Sequence, residues 1–103
     1  MESLRNKSRK PTHPGALLRE DILPAIRLTQ GELACKLGVS RRTVNELMNE
    51  HRPLTPDKAI RLSRLVGRTP AGWLMMQQAV DLWELEQISD SKKHASIKRI
   101  PGL

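Results

Sequence analysis

The chain has 103 residues, 38% of them hydrophobic, and its only aromatic side chains are Trp73 and Trp83, which leaves room for one domain with a modest core. It carries 18 Lys/Arg against 11 Asp/Glu, a formal net charge of +7, and that balance points to nucleic acid. Apolar runs are too short to span a bilayer or form a signal-peptide core, and the single Cys35 excludes an internal disulfide, so the expected setting is cytoplasmic with no membrane partner.

The charge is unevenly spread. Residues 1–11 and 89–103 each hold four Lys/Arg and one acid, whereas 12–88 hold ten against nine. The excess therefore sits in the tails, as solubilising ends or as salt-sensitive phosphate contacts, and base specificity has to come from the middle.

Residues 1–12 lack apolar periodicity and read as a flexible basic arm. His13-Pro14-Gly15 opens the first helix, with Pro14 near the first helical position, where its missing N–H costs nothing. Leu17, Leu18 and Ile22 form its core face, Arg19, Glu20 and Asp21 its wet face. Pro24 is expected to end the helix at or near Leu23, with Ala25, Ile26 and Leu28 covering the core on the way to Thr29.

Thr29 is the N-cap of a second helix whose Leu33, Ala34 and Leu37 recur on one face. Gly38 can turn left-handed and end it without steric cost. Val39 plugs the turn, Ser40 caps the third helix, and Val44, Leu47 and Met48 are that helix's buried stripe. Ala34 is small where two steeply crossing backbones must come close. Residues 29–49 thus read as a helix-turn-helix.

Opposite Val44, at about 100° per residue, lie Arg42, Asn45, Glu46 and Asn49, with Arg41 and Thr43 beside them near the helix start. Arginine suits a guanine edge and asparagine an adenine edge, while Ser40 and Thr43 can donate to phosphates. Any one of these residues alone would be an ordinary solvated side chain. Together, on a helix placed by this turn, they point to duplex DNA in the major groove. Arg52, in the following loop, is the best-placed phosphate ligand there.

Thr55-Pro56-Asp57 starts a fourth helix packed by Ala59, Ile60, Leu62, Leu65 and Val66 and ended by Gly67. Arg61, Arg64 and Arg68 fall outside that apolar set and are candidates to flank DNA or an acidic partner. Thr69-Pro70 opens a fifth helix, roughly 70–85, with apolar residues around most of its circumference. One stripe closes a small bundle, so a second is left for an interface. Trp73, Met76, Val80 and Trp83 are the expected dimer or partner contacts, serving a second subunit, another protein, or both. After Glu86 the pattern lapses; Ile97 and Ile100 suit a short strand or docking segment that Pro101-Gly102 stops.

The segment QGELACKLGVSRRTVNELMN resembles the Q-x-x-L-A-x-x-x-G-V-S helix-turn-helix of the phage-repressor (XRE) class. With HPGALLRED at 13–21, LTPDKAIRLSRLVGRTPAGWLMMQ at 54–77 and AVDLWE at 79–84, the string resembles the HigA/VapI type of antitoxin over roughly two thirds of the chain. The resemblance implies an all-α, five-helix lambda-repressor-like fold, divided as a basic arm at 1–12, the DNA-binding domain at 13–86 and a basic extension at 87–103. It implies that Gln30 contacts the DNA backbone and braces the recognition helix. It also implies an antitoxin that binds a HigB-like ribonuclease toxin and represses the shared operon. One departure is visible: relatives usually carry glycine after the Asn49 position, and here Glu50 stands there.

Enzyme chemistry finds no supporting constellation. His13, His51 and His94 are scattered with no ligand-spaced partner, so no metal is expected. Ser40 has no His–acid pair, and G-V-S is a turn rather than a phosphate loop. No catalytic residue, cofactor or small-molecule substrate is expected. The expectation is a homodimeric, sequence-specific repressor with an antitoxin role. Its rivals are a stand-alone or prophage regulator of the same fold, and an interaction module that has lost DNA reading.

Overall fold

The computed structural model describes residues 9–88 and 94–103. Among these, the regular structure is five helices with no strand, as expected. Helix α1 covers 14–26, α2 Gln30–Leu37, α3 Arg41–Met48, α4 Pro56–Val66 and α5 Pro70–Ile88. Helices α2 and α3 pack on each other, as do α4 and α5, and α1 lies across both α3 and α5. Leu18, Leu33, Ala34, Leu37, Val44, Leu47, Met48, Leu54, Ala59, Leu62 and Trp73 make one contiguous core.

Helix α1 does not stop at Pro24. Its middle, Leu18–Ile22, widens into a π-helical turn, and the Leu23 N–H reaches back to Leu18 O. The wider turn changes the carbonyl register just where the proline ring would clash and its N–H would be missed. The helix then runs on through Leu23–Ile26 and ends with Arg27 in the left-handed region, φ 57°. Carrying the helix on turns Ala25 and Ile26 outward, so neither covers the core. Ile60 and Leu65, expected inside, are also exposed, leaving Ala59 and Leu62 as the fully buried stripe of α4.

The start of α1 is buried. His13, only 5% exposed, uses Nδ1 to accept the Gly15 N–H at 2.9 Å, a side-chain N-cap. Burial pushes its imidazole below the ordinary histidine range, against opposing pulls from Glu50, Asp81 and Glu84 and alongside Lys10. A ring kept neutral in the fold binds fewer protons than in the unfolded chain, so stability should fall as pH drops below about 6.5. Urea unfolding across pH 5–8 checks this. Asn at position 13 caps without titrating, so His13→Asn should flatten the acid limb; an unchanged limb would contradict the assignment.

Helix α5 is longer than expected and divides its apolar residues differently. Trp73 and Val80 are 0% and 1% exposed, and Met76 packs against the core. Trp73 and Val80, expected at an interface, are thus interior residues of this one protomer. The Trp73 ring donates from Nε1 to Gly67 O at 3.0 Å, and Arg68 lies over it, 5.8 Å from the centroid. The apolar side left outside is Met75, Leu82 and Leu85. Buried Gln77 holds the loop before α4, accepting the Leu54 N–H at 2.8 Å and donating to Asp81 at 3.0 Å.

The expected arm at 1–12 and the expected extension at 87–103 fall partly outside the described residues, at 1–8 and 89–93. Ile97 and Ile100 are exposed and form no strand. No helix among the described residues is long and apolar enough to cross a membrane.

Candidate nucleic-acid interface

The α2–turn–α3 unit is closed by local sequence chemistry. Thr29 and Glu32 form a reciprocal capping box: Thr29 Oγ1 accepts the Glu32 N–H at 3.1 Å, and Glu32 Oε1 accepts the Thr29 N–H at 2.9 Å. Thr29, through its backbone N–H first and its side chain second, holds the Glu32 carboxyl below the usual carboxylate range. Gly38 ends α2 at φ 73°, where a Cβ would also lie 2.9 Å from Arg61 Nη1. Ser40 Oγ then caps α3 by accepting the Thr43 N–H at 3.0 Å, and lies 2.8 Å from Thr43 Oγ1.

Three long-range contacts fix the α2–turn–α3 unit in space. Gly15 of α1 sits against the Leu47 carbonyl so tightly that a Cβ there would lie 1.8 Å from the oxygen. Arg19, also of α1, donates to Met48 O at 2.6 Å, at the carboxyl end of α3 where carbonyls lack helical partners. Arg61 does the same for α2, donating to Leu37 O at 2.8 Å and Gly38 O at 3.3 Å while paired with Asp57 at 3.0 Å. Arg61 was a candidate for flanking a partner. It is instead a strut between α4 and the helix-turn-helix, and Arg68 is likewise engaged, with Trp73.

Sequence reasoning placed Arg19 in solvent and missed both struts. Their acceptors lie 29 and 24 residues away, and neither spacing leaves a periodic trace. The weak available signal was an arginine on each helix that must pack against a helix carboxyl end, where positive charge is favourable.

The outward face of α3 holds the expected residues together. Arg41 and Arg42 are exposed at its start. Asn45 Nδ2 donates across the turn to Gln30 Oε1 at 3.2 Å, and Asn49 Nδ2 donates to Asn45 Oδ1 at 3.2 Å. This amide relay ties the first residue of α2 to the last turn of α3. Glu46 accepts from Arg42 Nε at 2.8 Å and from Arg52 Nη2 at 3.4 Å. The bond from Arg42, the largest influence, and that from Arg52 hold the Glu46 carboxyl below its ordinary range. Arg52 is thus not a free loop cation; it reaches back to the helix.

Glu50 follows α3 at φ 62°, a left-handed position costing a side chain roughly 1–2 kcal/mol that glycine avoids. Its carboxylate meets Arg19 Nη1 at 3.5 Å. The negative charge is therefore answered from α1, within the protein. Among the described residues no group of three or more His, Cys, Asp or Glu is gathered as a metal site.

Comparison with known proteins finds relatives of the same fold. The sequence profile described as "Helix-turn-helix" matches residues 18–74. An uncharacterised HTH-type transcriptional regulator of Escherichia coli, YbaQ, is 42% identical over 83 residues, covering 81% of this chain and 74% of that one. Antitoxin HigA-1 of Vibrio cholerae is 40% identical over 81 residues, covering 79% and 76%. The structure of Pseudomonas aeruginosa antitoxin HigA with the higBA promoter superposes with a TM-score of 0.81 at 31% identity, covering 91% of this chain and all of that one.

Proposed function

Because this chain belongs to the Helix-turn-helix family, with HigA-type antitoxins among its relatives, we propose that it is a sequence-specific duplex-DNA-binding regulator that represses its own operon. The observation that carries the proposal is the outward face of α3, where Arg41, Arg42, Thr43, Asn45 and Glu46 stand clear of the core. Arg41 and Arg42 would reach guanine edges, and Asn45 an adenine edge. Gln30, Ser40, Asn49 and Arg52 would hold the backbone phosphates and set the register. The reading domain would be residues 13–86, with the basic ends adding phosphate contacts.

A homodimer would place two copies of α3 about one DNA turn, roughly 34 Å, apart. The exposed Met75, Leu82 and Leu85 side of α5 supports a second copy there, together with the partly buried Met76 and Trp83.

The naming of relatives as antitoxins supports a second activity, the silencing of a toxin by direct binding, and the sequence resemblance makes a small HigB-like ribonuclease the expected toxin. A relative described only as a transcriptional regulator favours the alternative of a repressor with no toxin. Co-expression with any small protein encoded beside this gene separates the two. Co-purification and relief of growth arrest support the antitoxin role, and their absence leaves the repressor alone. DNA reading itself is tested by discrimination between the upstream duplex and a shuffled one.

A further inference from the structure

An acid on a face that meets phosphates is unfavourable by its charge, so Glu46 needs a reason to be there. Its Oε1 is a shared acceptor, holding Arg42 Nε at 2.8 Å and Arg52 Nη2 at 3.4 Å. The Glu46 side chain is 27% exposed, whereas that of Arg42 is 87% exposed and would otherwise be a free flexible cation. With Nε pinned, Arg42 can offer only its paired Nη edge outward, a planar fork suited to the two acceptors of a guanine edge. Arg52 Nε is buried without a partner, so the Nη2 bond to Glu46 is what orients its guanidinium.

We infer that Glu46 is a positioning residue for recognition: it reads no base itself, but aims Arg42 at a base edge and Arg52 at a phosphate. The inference rests on the DNA-binding proposal above. It differs from a cytosine-reading role for the carboxylate, in which Oε2, the oxygen neither guanidinium uses, would accept from the cytosine amino group, and the double-arginine background below separates the two.

The test is a fluorescence-anisotropy titration of the full chain on the duplex upstream of its own gene and on a shuffled duplex. Glu46→Ala removes a negative charge, so it should tighten binding to the shuffled duplex. It should also lower the native-to-shuffled ratio by about tenfold, the scale of one good base contact. Glu46→Gln, which keeps an acceptor oxygen, should retain most of the ratio. In a background already carrying Arg42→Ala and Arg52→Ala, Glu46→Ala should change the ratio by less than about twofold, as expected when one group acts through others.

Equal tightening on both duplexes with an unchanged ratio would overturn the inference and leave Glu46 a mere charge deterrent. A full loss persisting in the double-arginine background would also overturn it, and make Glu46 a base reader. Either result requires a parent chain that discriminates. A parent that fails to discriminate overturns the DNA-reading proposal, and this inference with it.

Discussion

Gly15→Ala should cost about 3 kcal/mol or more, at or beyond the upper end for overpacked interiors, and should abolish DNA reading with it. The cause is one contact. A Cβ at position 15 would lie 1.8 Å from Leu47 O and 2.7 Å from its carbonyl carbon. These are backbone atoms of the recognition helix, with no rotamer to relax into. Helix α1 must then back away from α3, and the move drags Arg19 off Met48 O. Alanine normally stabilises a helix over glycine by roughly 0.5–1 kcal/mol, so the sign itself is diagnostic. Gly31 is the control: near the start of α2 its Cβ would meet only Thr29 Oγ1, at 3.9 Å. Gly31→Ala should be neutral or stabilising by about that amount. Urea unfolding of the two variants checks both signs, and a stable Gly15→Ala would contradict the close crossing.

Arg41→Ala with Arg42→Ala should leave the fold almost untouched and remove sequence discrimination. Both side chains are exposed, and the one ion pair lost, Arg42 with Glu46, is a surface pair worth about 0–1 kcal/mol. On the native operator, the loss should be about 1–3 kcal/mol for each good base contact removed, or about fivefold to more than a hundredfold per arginine. On a shuffled duplex, the loss should be smaller and more dependent on salt. Parallel thermal melts and binding titrations check this. An unchanged affinity and specificity would remove these two arginines from the interface and favour a protein-interaction role for the fold.

Much of this architecture was legible in the sequence because its signals are local. Thr29, Gly38 and Ser40 act within four residues of themselves, through side-chain caps and one left-handed turn, and all three do in the structure what their chemistry requires. The outward face of α3 followed from periodicity alone. What periodicity could not carry was partner choice over distance. Arg19 and Arg61 looked like solvated charges until their acceptors, the ends of α3 and α2, were brought to them. Trp73 and Val80 looked like surplus apolar area because a helix apolar on most sides does not say which side is already taken. Pro24 was read as a stop, since the π-helical turn that absorbs it has no sequence signature of its own. The Glu46 cluster fell between the two cases: Arg42 and Glu46 are a visible i, i+4 pair, but Arg52 joins only through the loop's path.

The central claim is that α3 reads DNA sequence, and the upstream duplex tests it most directly. The full chain should be titrated on that duplex and on a shuffled duplex of the same composition, each at low and near-physiological salt. The account predicts that native binding survives at physiological salt while shuffled binding collapses, because only base contacts are insensitive to counterion release. Equal binding to both duplexes, lost together as salt rises, would contradict it and assign all the affinity to the basic ends.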